Sequence, residues 1–128
     1  VVSPDAIYAV EADIFAPCAL GAVLNDQTIP QLKAKVISGL ANNQLAEPRH
    51  GQALLDRGIT YVPDYVVNGG GVMGAAALIY SEPSIEESQA KIRRLYETIL
   101  NILDHAKAAS APPSEVADMM AREKLAAA

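Results

Sequence analysis

Three groups of residues have types suited to holding a small polar molecule: Cys18-Ala19-Leu20, Asn42-Asn43 and Asn68-Gly69-Gly70. A primary amide offers two donors and a doubly accepting oxygen, so asparagines can hold a ligand by either kind of bond. Glycines let a backbone approach a ligand closely. The same residue types also serve plain turns, because Asn tolerates left-handed backbone and Gly adopts it freely. Groups able to move protons or form covalent bonds are scarce. Cys18, the one cysteine, has no histidine within local reach and reads as a small buried hydrophobe. His50 and His105 lack carboxylates or thiolates at metal-ligand spacing and read as surface or capping residues. Neither a catalytic set nor a metal set is therefore expected. Gly69 to Gly74 fits the G-x-G-x-x-G pattern, but six residues separate it from the preceding strand and no second strand with a terminal acid follows. It reads as a false match to the dinucleotide fingerprint.

The elements that must position these groups are legible in the apolar pattern. Asp13–Ala16, Lys35–Ser38 and Ile59–Val62 are short β-branched runs, each followed by a turn signal. Their starts lie 22 and 24 residues apart, which leaves room for one short helix between neighbours and predicts parallel βαβ units. All three candidate groups follow these runs, and a parallel sheet puts those ends on one edge. Thr28 and Gln31 have capping-box spacing with Pro30 in the first turn, and Leu32 and Ala34 would be buried. A helix is predicted over Arg49–Arg57, with Leu54 and Leu55 inward and Gly58 as its stop. The run Val66–Ala75 is too glycine-rich for a plain helix start, so helix is predicted only over Ala75–Tyr80, ended by Glu82-Pro83. A long helix then follows, with Ser84 and Glu87 as a second capping box and Ile85, Ile92, Leu95, Ile99, Ile102, Leu103 and Ala106 as one apolar stripe. After Pro112-Pro113, a last helix is predicted over Ser114–Leu125, its apolar side formed by Val116, Met119, Met120 and Leu125.

Composition narrows the function classes. The chain has 128 residues, 51% hydrophobic and 20% charged, enough apolar surface to fold as one globular unit. Its net charge is −5 and no basic cluster occurs, so a nucleic-acid partner is not expected. No apolar run approaches the roughly 20 residues of a membrane span, so no membrane partner is expected. A single cysteine fits a reducing compartment. The opening Val1-Val2-Ser3-Pro4 lacks an initiator Met, as expected of a piece of something longer.

Several long blocks, in order, resemble one family. They are Asp13–Ala22, Thr28–Ile37, Ala41–Leu45, Pro48–Gly51 and Tyr61–Val72. Together they resemble the Glu/Leu/Phe/Val amino acid dehydrogenases, closest to the leucine and phenylalanine branch. The resemblance runs from about Ala6 to Leu125 and implies NAD-dependent, reversible oxidative deamination of an L-amino acid to its 2-oxo acid and ammonia. It implies an α/β fold: the second half of a Rossmann-like nucleotide-binding domain, a three-stranded parallel βαβαβ unit over residues 1–80, followed by long C-terminal helices over residues 81–128. By the same resemblance the protein would be a cytoplasmic homo-oligomer.

The resemblance also implies roles for single residues. Ala19 and Leu20 match residues beside the nicotinamide ribose and ring. Asn42 matches a residue that contacts both cofactor and amino acid, and Asn68 matches the asparagine that fixes the nicotinamide region. Val72 and Ala75 match positions of the pocket for the substrate side chain. This chain reads Asn-Gly-Gly-Gly where the family usually has Asn-Ala-Gly-Gly, and it carries Gly74 and Ala75 where leucine enzymes place larger residues. A wider pocket is implied, fit for an aromatic or a long branched side chain. The family's lysine pair, catalytic aspartate and pyrophosphate-binding loop match nothing here, so this segment alone is expected to be inactive, with a sheet edge that promotes self-association. The alternative is a standalone, non-catalytic nucleotide-binding or assembly module built on the same fold remnant.

Overall fold

The computed structural model describes residues 1–80 and 84–127. Strands β1 (Ile14–Phe15), β2 (Val36–Ile37) and β3 (Thr60–Tyr61) form one sheet in the order β1-β2-β3. Both pairings are parallel, with Ile14 opposite Val36 and Ile37 opposite Tyr61. Each strand lies inside its predicted run. Beyond the sheet, Leu24 pairs in parallel with Leu45, so the chain after β1 also runs beside the chain after β2.

Helix α1 (Arg49–Asp56) joins β2 to β3 and stops at Gly58, whose φ of +68° no side chain favours. Leu54 is buried as predicted, while Leu55 is only half-buried. Between β1 and β2 the expected helix is reduced to a 3-10 turn, Ile29–Gln31, and the Thr28–Gln31 capping box does not form. Asn25 intervenes: its Oδ1 accepts from the Gln27 and Thr28 amides at 2.9 and 3.1 Å. The Thr28 hydroxyl donates instead to Val23 O, and this local hydrogen bonding replaces the helix. Leu32 and Ala34 are buried nonetheless, and Leu24, Ile29, Leu32, Ile37, Leu54, Ile59 and Tyr61 make the core between sheet and α1.

The helical part departs further from the sequence pattern. A single turn, α2 (Asp64–Val67), leads straight into α3 (Gly70–Tyr80), so helix begins within the glycine run rather than at Ala75. Packing overrides propensity here. A Cβ on Gly70 would already touch Ile92 at 3.5 Å, so the small residue lets the helices approach. The break expected at Glu82-Pro83 lies outside the described residues. The predicted long helix is two: α4 (Ile85–Arg93) and α5 (Leu95–Ala109). The Arg94 amide bonds the Lys91 carbonyl at 3.1 Å, a tight turn that lets α4 lie on α3 while α5 packs on α2 and α6. The Ser84–Glu87 box does form, with Ser84 Oγ accepting at 3.2 Å and Glu87 Oε2 at 2.8 Å.

Helix α6 (Pro113–Ala126) packs on α5, α1 and β3. Ile102, Ala106, Val116 and Ala117 form a second small core there. Ile85, Met119 and Leu125 are exposed, contrary to the predicted stripes; on α6 it is Ala117 rather than Met119 that packs against α5.

Candidate functional site

The parallel strands send their carboxyl ends to one edge, and the loops there are locked together. Pro17, just after β1, is buried, and its carbonyl accepts from the Ala41 amide at 2.9 Å. The two loops meet so closely that a Cβ on Gly39 would fall 2.1 Å from Pro17 O, and one on Gly21 would fall 2.7 Å from Asn42 O. Only glycine fits at either place. The Ala22 amide donates to Asn43 O at 2.7 Å, and both residues have positive φ, 56° and 54°.

This geometry divides the asparagine pair. Asn43 serves the turn through its backbone, while Asn42 works through its side chain. Asn68, at the end of α2, donates from Nδ2 to Asn42 Oδ1 at 2.5 Å and to Leu40 O at 3.3 Å. Leu40 O can only accept, so the Asn68 nitrogen must face it, and the facing Asn42 atom must be oxygen. Both Asn68 donors are then engaged. The Asn42 amide nitrogen and the Asn68 carbonyl oxygen have no partner among the described residues. The clasp therefore presents one donor group and one acceptor on the exposed side.

Ala19 and Leu20 stand on the first loop, Leu20 being 74% exposed, and supply an apolar surface. Cys18 beside them is exposed, not buried as its type led one to expect. Val72, 76% exposed, and Ala75 sit three apart on the outer face of α3, and among the described residues a Cβ on Gly71 or Gly74 would meet nothing within 4 Å.

Two supporting residues were not legible in the sequence. Asp64 is buried: its Oδ2 accepts from the Gln44 amide and its Oδ1 from the Tyr65 amide, both at 2.8 Å. Gln44, fully buried, donates from Nε2 to Gly39 O at 2.8 Å and Ala41 O at 2.9 Å, wrapping its loop around its own amide. The partners lie 20 residues apart, and only the fold reveals them. The Tyr61 hydroxyl accepts from the Asp64 amide at 3.3 Å, and burial, then the Asp64 charge, pushes its pKa up. Tyr65 donates to Asp118 at 2.7 Å, fastening α2 to α6; burial, then that bond, raises its pKa too.

His50 also departs from expectation. It is buried, its Nδ1 accepts from the Glu47 amide at 2.9 Å, and its Nε2 lies 3.2 Å from Asp26. Arg49 grips Asp26 in a fork at 2.6 and 2.7 Å and Glu47 at 2.9 Å, so it is tied up rather than available to an anion. These bonds hold the Asp26 carboxyl down at about 2, Arg49 being the main cause, with burial opposing it and His50 adding to it. Among the described residues no cluster of three or more His, Cys, Asp or Glu could hold a metal ion, and no helix is long and apolar enough to cross a membrane.

The sequence model of the family described as Glutamate/Leucine/Phenylalanine/Valine dehydrogenase matches residues 1–128. The chain belongs to this dehydrogenase family. Leucine dehydrogenase of Geobacillus stearothermophilus is 52% identical over 124 residues, 97% of this chain and 34% of that protein. Valine dehydrogenase of Streptomyces albus is 47% identical over 129 residues, 100% of this chain and 35% of that protein. The crystal structure of L-tryptophan dehydrogenase from Nostoc punctiforme superposes with a TM-score of 0.89 at 40% identity, covering 95% of this chain and 36% of that one. The chain thus spans about a third of the length of the dehydrogenases it matches.

Proposed function

We propose that this chain is the C-terminal, cofactor-facing part of an NAD-dependent amino acid dehydrogenase. Residues 1–80 would be the second half of its Rossmann-like domain, and residues 81–128 its C-terminal helical segment. The enzyme would deaminate a branched-chain or aromatic L-amino acid oxidatively and reversibly, giving the 2-oxo acid and ammonia, as a cytoplasmic homo-oligomer.

The Asn42–Asn68 clasp carries the reading. It stands at the carboxyl ends of parallel strands, where open α/β sheets bind ligands. Its outward donor and acceptor complement the carbonyl and amino group of a primary carboxamide, which the nicotinamide ring bears. Ala19 and Leu20 would lie against the ring and ribose, and their exposed apolar surface fits a flat ring. Bound there, the cofactor supplies the hydride acceptor. The chain's own residues bind and orient: Asn42 and Asn68 hold the carboxamide, Asn42 also faces the amino acid, and the glycine-locked loops keep the amides from drifting. Preorganised donors of this kind lose little freedom on binding.

Val72 and Ala75 would contact the substrate side chain. The open space over Gly71 and Gly74 supports a roomy pocket, suited to aromatic or long branched substrates. Among the described residues we assign no group to the handling of the substrate's protons, so hydride transfer by this segment alone should be negligible.

The test is Asn68→Ala in the full-length enzyme. Losing two hydrogen bonds and the outward acceptor should weaken cofactor binding about tenfold, the effect of roughly one net hydrogen bond. Unchanged cofactor affinity, in enzyme that melts as the parent does, would remove the proposal.

A further inference from the structure

Asp64 is bonded like a strut behind the clasp, though nothing in its sequence position announces it. One carboxylate oxygen accepts from the Gln44 amide, two residues beyond Asn42, and the other accepts from the first turn of α2 at Tyr65. Its carbonyl accepts from the Asn68 amide at 2.9 Å, at the far end of that same turn. A closed ring results: Asp64 to Gln44, back along the loop to Asn42, across to Asn68, and down α2 to Asp64. The exposed side of the ring is closed by two amides and the buried side by one carboxylate. Water competes for the exposed contact but is excluded from the buried one, so the buried closure sets the spacing.

We infer that Asp64 is a positioning residue: its carboxylate fixes the distance between the Asn42 and Asn68 amides and thereby tunes the affinity of the site they form. This rests on the proposed reading of that site. Asp64 touches neither ligand, and its influence passes entirely through the two loops. The shape requirement is strict. An acceptor must reach Gln44 N across the gap while a second acceptor meets the Tyr65 amide. Asparagine keeps the size but can turn a donor toward the Gln44 donor. Serine keeps one hydroxyl oxygen near the Tyr65 amide but is too short to span the gap to Gln44.

The experiment compares Asp64→Ser, Asp64→Asn, Asn68→Ala and the double variants in the full-length enzyme, reading the dissociation constant for NAD well below each melting temperature. Either Asp64 variant should weaken cofactor binding about tenfold, with KM for cofactor rising more than kcat falls. In the Asn68→Ala background the further loss should vanish, because the ring is already open. Asp64→Ser guards against Asp64→Asn failing to fold. Losses that multiply in the double variants, or an Asp64→Ser enzyme with parental affinity, overturn the inference. An Asn68→Ala enzyme with parental affinity overturns the site reading itself, a separate outcome.

Discussion

The loops at the strand ends and the helix that follows them are built to opposite rules. Around Gly21 and Gly39 there is no room for a methyl group; along α3, a Cβ on Gly71 or Gly74 would meet none of the described residues. The loops are closed by backbone bonds, a buried glutamine and a buried aspartate. Helix α3 leans on α4 and otherwise leaves Val72 and Ile79 outward. A surface that must hold one invariant ring gains from being fixed before the ligand arrives. A surface that meets a variable side chain can stay open, its limits set by whatever packs opposite.

Substituting the glycines tests this contrast most sharply. Gly39→Ala forces a methyl group into the Pro17 backbone, and overpacking of this kind should cost about 3 kcal/mol in urea unfolding. A variant as stable as the parent would mean that the loops are not locked. Next in size comes the free edge of the sheet. Ile14 is exposed on β1, which pairs on one side only among the described strands. The chain expressed by itself should therefore self-associate, and Ile14→Lys should shift it toward monomer in light scattering. A monomeric parent would contradict that expectation. On the open helix, Gly74→Ala has space and a better helix former, so it should stabilise the chain by roughly 0.5–1 kcal/mol while disfavouring the bulkiest substrates. A destabilised variant would show that α3 is more crowded than its surroundings indicate.

Much of the locked region was legible in the residue pattern. The three strands announce themselves by β-branched runs with turn residues behind them, and their spacing predicts parallel pairing. The Asn42–Asn68 meeting follows from that, since parallel strands bring their ends together. What stayed hidden was long-range or polar and buried. Gln44 and Asp64 look like ordinary loop residues until their 20-residue separation is closed by the sheet. His50 gives no local sign that Asp26 waits 24 positions earlier. The helical region misled for a different reason. Its glycines argue against helix by propensity, yet packing on α4 outweighs about 1 kcal/mol per glycine. The break at Arg94 leaves no trace in an apolar stripe that runs on across it.

The smallest effect belongs to the exposed Asp26–Arg49 pair. The Asp26 carboxyl, normally near 3.8, is lowered to about 2, so its bonds stabilise the fold fully above the ordinary value. That share is lost as pH falls through about 2. The stability gap between the parent and Arg49→Ala should therefore narrow between about pH 5 and about pH 2. A gap independent of pH would show that the fork contributes nothing.

Cys18 offers the most direct view of the proposed cofactor wall, because it is exposed and adjoins Ala19 and Leu20. The measurement is the rate at which N-ethylmaleimide modifies Cys18 in the full-length enzyme, followed by peptide mass spectrometry with and without NAD. If the loop tips hold the nicotinamide, modification slows as cofactor is added and levels off at saturation. A Cys18 rate untouched by concentrations of NAD that saturate turnover would contradict the account.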